Sequence, residues 1–143
     1  MGGEHRSDAV RHALADTGIQ IVEDAFAGKA RMGDGLGDVF DRWRTLAAPP
    51  TAVVCGSDRV AVAVLQECKR QDIAVPGQLS VVGYGDTELS RQVRPALSTV
   101  RVPAGEAGTT LARSLLAQLD ARFEPSPELH PKLVVRESTG TRA

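Results

Sequence analysis

Between Thr51 and Val100 the chain changes its hydrophobic period again and again without a gap, and the order of those changes leaves few folds open. Ala52 to Cys55 is a continuous apolar run, as expected of a strand covered on both faces. Ser57 and Asp58 follow, and either can accept hydrogen bonds from the first free N–H groups of a helix. That helix carries Ala61, Val64, Leu65 and Cys68 on one face, while Val60, Val62 and Ala63 spill around it and imply a second contact face. Val75-Pro76-Gly77 is turn chemistry, Leu79 to Tyr84 reads as the next buried strand, and Leu97 to Val102 reads as an extended crossover. Alternating strand and helix periods predict an α/β fold: a mostly parallel sheet flanked by helices on both faces.

The flanking segments fit that alternation. Ser7 can cap a first helix that carries Val10, Ala13 and Leu14 and stops at Gly18, after which Ile19 to Val22 reads as a short strand. Residues 26–37 read as a loop, and Leu36, Val39, Phe40, Trp43 and Leu46 recur at helical spacing until Pro49 and Pro50. Ala107, Leu111, Ala112, Leu115, Leu116 and Leu119 form a clear helical stripe, Pro125 and Pro127 mark a loop, and Lys132 to Arg136 reads as the last strand. With 143 residues the chain can hold one domain that buries roughly two thirds of its unfolded surface.

Composition removes several function classes. Formal charge is −1 from 17 basic and 18 acidic residues, with no Lys/Arg run of the kind that neutralises phosphates, so this chain by itself is not expected to bind DNA. Cys55 and Cys68 lack metal-ligand spacing and are too few for a disulfide scaffold, which predicts buried reduced thiols; no metal and no cofactor are expected. MGGEHRSDAV has no apolar segment of a leader, and no run suits a membrane span, so the expected compartment is the cytoplasm. A dinucleotide loop fails at Glu88, where a further glycine is needed after Gly83 and Gly85. His5, His12 and His130 show no spacing that would supply a base to Ser57, and an enzyme is not expected.

The ordered block TAVVCGSDRVAVAVLQECKRQDIAVPGQLSVVGYGDTELSRQVRPALSTV, with LVVRESTG at residues 133 to 140, resembles the LacI/GalR family of transcriptional regulators. The similarity lies in the C-terminal part of their effector-binding domain, which is itself like periplasmic sugar-binding proteins. It implies a division into 1–97, the C-terminal effector-binding subdomain; 98–122, a crossover strand and helix that belong in relatives to the N-terminal subdomain; and 123–143, the return. It also implies that the helix-turn-helix head is absent and that the chain is a piece of a longer protein. The implied function is sensing of a small sugar or sugar acid, gluconate-like, which controls operator DNA binding by the full-length homodimer. The alternative is a sugar-binding protein of a transport system.

The same resemblance nominates site residues. Arg6, placed before the first helix, would reach across the cleft to an effector's hydroxyl or carboxylate groups, for which a planar guanidinium is suited; it could equally be a solvated surface residue. Ser57 stands where relatives usually carry asparagine, and Asp58 beside it is either a helix cap or a ligand residue. Gly85 stands where relatives usually carry an aspartate, and its loss favours an anionic effector; the plain alternative is a tight turn at Gly85 with Asp86 capping the next helix. Phe26 would stack on a sugar ring or anchor the core. Ala61, Val62, Leu65 and Leu89 are assigned to a dimer interface. Without the N-terminal subdomain, the Leu111, Leu115, Leu116 and Leu119 face is expected to pack on the chain's own sheet or on a second copy.

Overall fold

The computed structural model describes residues 2–22, 35–119 and 128–141, with the side chains of residues 2–6 left aside. Its elements are helix α1 (Gly2–Leu14), α2 (Leu36–Arg44), strand β1 (Ala52–Val54), α3 (Asp58–Arg70), β2 (Ser80–Gly85), α4 (Leu89–Gln92), β3 (Ser98–Arg101), α5 (Ala104–Leu119) and β4 (Lys132–Val134). The strands form one sheet in the order β1-β2-β3-β4, with β1, β2 and β3 parallel and β4 antiparallel to β3. This is the α/β architecture that the alternating periods demand: a mostly parallel sheet with helices.

The core forms where α2 and α3 meet the sheet. Leu36 and Phe40 of α2 and Ala61, Val64, Leu65 and Cys68 of α3 are buried together with Cys55, Leu79, Val81 and Leu97. The positions 61, 64, 65 and 68 repeat at helical spacing, so one stripe of α3 meets the sheet. Val60 and Ala63 pack partly against the same cluster, and Val62 is half-buried. Trp43 joins its edge, its ring centroid 4.8 Å from that of Phe40. Ser138, fully buried, stitches the N-terminal edge of the sheet. Its hydroxyl donates to the Val81 carbonyl at 2.6 Å and accepts from the Ser98 N–H at 2.8 Å.

Several expectations are corrected. Arg6 and Ser7 lie inside α1, so Ser7 does not cap it. Residues 19–22 form no strand, and Ile19, Ile21 and Val22 are exposed. β1 is not covered on both faces: it is the edge strand of the described sheet, and Val54 is 62% exposed. The segment read as a crossover is β3, hydrogen-bonded into the same sheet as β2, with Gly85 opposite Arg101 in register. The leucine stripe of α5 does not pack on the chain's own sheet: none of that helix's residues is buried, and Leu111 is 71% and Leu119 75% exposed.

Candidate functional site

Parallel strands place their C-terminal ends along one edge, and that edge is where open α/β sheets receive ligands. Here it gathers Ser57 beyond β1, Gly85 and Asp86 at the end of β2, and Arg101 at the end of β3. Ser57 is the N-cap of α3, its backbone extended and its hydroxyl accepting from the Val60 N–H at 3.4 Å. Asp58 is therefore not the cap. It is 1% exposed and points across to the next loop, where one carboxylate oxygen accepts from the Thr87 N–H at 2.6 Å and the Thr87 hydroxyl at 2.9 Å. The other oxygen accepts from the Thr99 hydroxyl at 2.5 Å. A buried carboxylate is tolerated only with such donors, and these come from the loop after β2 and from β3.

This crossing explains the glycines of the edge. A methyl group built on Gly83 would collide with the Asp58 carboxylate and come within 2.9 Å of Leu97. Gly85 has φ +128, a backbone conformation that residues with a side chain rarely adopt. Asp86 follows with φ 50, in the left-handed region that aspartate tolerates better than most residues.

Asp86 is not a helix cap. Its side chain is 2% exposed and is held by three guanidinium groups: Arg136 at 2.5 Å, Arg101 at 2.5 Å and Arg91 at 3.1 Å. Arg136 also donates to the Ser90 hydroxyl at 2.9 Å and to the Leu97 carbonyl at 2.7 Å. Burial alone would raise the Asp86 pKa, but the hydrogen bonds from Arg136, Arg101 and Arg91 outweigh it and hold the carboxyl well below the usual range. Three positive charges thus surround one negative charge, and the buried Asp58 carboxylate stands close behind. Arg91 and Arg101 keep 59% and 50% of their side chains in solvent.

Sequence reasoning brings Ser57, Gly85 and Asp86 to one edge, as the structure does. Arg6 lies on α1 with its side chain undescribed, and Phe26 lies outside the described residues. Of the four interface positions, Ala61 at 0% and Leu65 at 6% exposure are spent in the chain's own core, which corrects their assignment to a dimer surface. Val62 is half-buried and Leu89 exposed. Arg91, Arg101 and Arg136 were missed; Arg101 and Arg136 lie within the segments read as Leu97 to Val102 and Lys132 to Arg136, and Arg91 carried no signal. Cys55 and Cys68 are free and buried; burial first, then neighbouring charge, pushes their thiols up to about 12 and about 11. Among the described residues no group of three His, Cys, Asp or Glu could hold a metal, and no helix is long and apolar enough to cross a membrane. A shallow pocket lined by Thr51, Pro76, Gln78 and Gly140 opens at the opposite edge, where the strands begin.

Residues 2–139 match the family model described as periplasmic binding protein-like domain. The ribose operon repressor of Haemophilus influenzae is 38% identical over 142 residues, covering 94% of this chain and 41% of that protein. The HTH-type transcriptional regulator GalR of Escherichia coli is 35% identical, covering 96% of this chain and 41% of that protein. A LacI family transcriptional regulator from Lactobacillus casei, solved with bound glucose, superposes with a TM-score of 0.76 at 26% identity, covering 96% of this chain and 50% of that one. The chain thus spans less than half the length of these curated relatives. It belongs to the family of periplasmic binding protein-like domains, and its relatives are transcriptional regulators of the LacI/GalR type.

Proposed function

We propose that this chain forms one wall of the effector cleft of a LacI-type transcriptional regulator, and that the effector is a small sugar or sugar acid. The observation that carries this reading is the edge itself: Ser57, Gly85, Asp86 and Arg101 stand together at the carboxyl ends of three parallel strands. A crevice at that edge suits a polyol, which needs donors and acceptors fixed on rigid elements. The glucose held by the Lactobacillus casei regulator supports a sugar, and the guanidinium groups around Asp86 support an acidic one. Arg6 and Phe26 remain proposed contacts, as do Val62 and Leu89 for the dimer. A closing cleft shifts the balance between two forms of the dimer and so its affinity for an operator in the cytoplasm.

The test is fluorescence anisotropy of the complete gene product on DNA from upstream of its own gene, with ribose, glucose and gluconate added in turn. The expected result is DNA binding whose half-saturation point moves at least about fivefold with one of these ligands, the low end of typical allosteric coupling. A protein that binds that DNA identically with all three, or does not bind it, would overturn the reading.

A further inference from the structure

We propose that Arg101 and Arg91 form an oxyanion subsite beside Gly85, which receives a carboxylate or phosphate group on the effector. The proposal rests on the effector reading above and deepens it. Both guanidinium groups donate to the same oxygen of Asp86, Arg101 through Nε and Arg91 through Nη2. The two contacting nitrogens can therefore lie no farther apart than the two bond lengths laid end to end. Their outer N–H groups face solvent, since each side chain is at least half exposed while Asp86 is buried beneath them. One carboxylate thus orients two forks of donors without satisfying them.

Charge favours the same conclusion. Asp86 cancels one of the three guanidinium charges, Arg136 keeps its own contacts to Ser90 and Leu97 below, and the Asp58 carboxylate is turned inward onto Thr87 and Thr99. Even counting Asp58, the cluster retains an excess positive charge at the mouth of the edge. Gly85 sits opposite Arg101 in register and places no side chain between that charge and a ligand. An aspartate there would have offered a second carboxylate to Arg101 and opposed an anion; the glycine leaves the guanidinium available.

The test uses the ¹⁵N-labelled chain at fixed ionic strength and follows arginine side-chain and backbone resonances while sodium gluconate, inorganic phosphate or glucose is added. Saturable shifts at Arg91, Arg101 and Gly85 with gluconate or phosphate are expected. Gluconate alone identifies a sugar acid, and phosphate alone a phosphorylated sugar. Arg101→Gln should weaken the anion about tenfold, the scale of one charge-assisted hydrogen bond, and weaken glucose by clearly less, since a neutral hydroxyl loses a donor but no charge partner. Lys69→Gln, at the far end of α3, should change nothing. If Arg101→Gln does not fold, Arg91→Gln reads the same subsite. Equal weakening of glucose and anion, an unchanged anion affinity, or non-saturating shifts at every arginine would overturn the proposal. Binding of glucose with neither anion, or no binding of any of the three ligands, sinks the subsite; the effector reading falls only with the DNA-binding test on the complete gene product.

Discussion

At Gly83 a single methyl group is enough to disturb three elements. The carboxylate it would strike belongs to Asp58, which cannot retreat without releasing Thr87 and Thr99, and Leu97 closes the other side. Gly83→Ala should therefore cost about 3 kcal/mol, the upper end for overpacking, read as a lowered urea midpoint with an unchanged slope. A loss under about 1 kcal/mol would mean that Asp58 can swing aside. Asp86 yields a prediction in pH. Its folded pKa lies below its unfolded value near 3.8, so the stability it contributes is complete above about pH 4 and declines as pH falls towards the folded value. The chain should lose stability faster below pH 4 than Asp86→Asn, whose own loss at neutral pH should be about 3 kcal/mol. That is the low end for breaking a buried pair, because Arg91 and Arg101 can turn to solvent. Parallel acid titrations of both proteins would refute the assignment.

Elements were legible wherever one face of a periodic segment meets the core. α2 and α3 carry their stripes at helical spacing, β2 is a mostly apolar segment ending in glycine, and all three sit close to where their periods place them. Edges were not legible. A strand exists only if a neighbour takes its hydrogen bonds, and nothing within Ile19 to Val22 or Ala52 to Val54 says which neighbour is present. For that reason one apolar run became an exposed irregular segment and the other an edge strand. Caps fared similarly: Ser57 and Asp58 are both good caps, and the choice was made by Thr87 and Thr99, which lie 29 and 41 residues away from Asp58. The site was half legible on the same grounds. Ser57, Gly85 and Asp86 lie at or just beyond strand ends, which a local pattern can place, whereas the guanidinium groups on Asp86 come from 5, 15 and 50 residues away and no local pattern joins them.

Across the whole molecule the apolar surface is unevenly spent. One face of the sheet is closed by α2 and α3, while Val54, Leu133 and Val135 stand more than half exposed, as do all four leucines of the α5 stripe. Each leucine kept from contact forgoes about 1.5 to 3 kcal/mol, far more than a surface position normally leaves unused. Such a stripe contributes little to this chain's own stability, because nothing in the described fold covers it. Replacing Leu111, Leu115 and Leu119 with Glu should therefore leave the urea midpoint within about 0.5 kcal/mol, the range for unburied positions. The same replacement should sharply reduce fluorescence of a bound apolar dye such as ANS, which the unmodified chain should bind. A fall in stability of 2 kcal/mol or more would mean that these leucines are in contact after all. The two readouts together separate a helix folded against its own chain from one whose apolar face lies open, and an open face is what one wall of a two-lobed clamp would present.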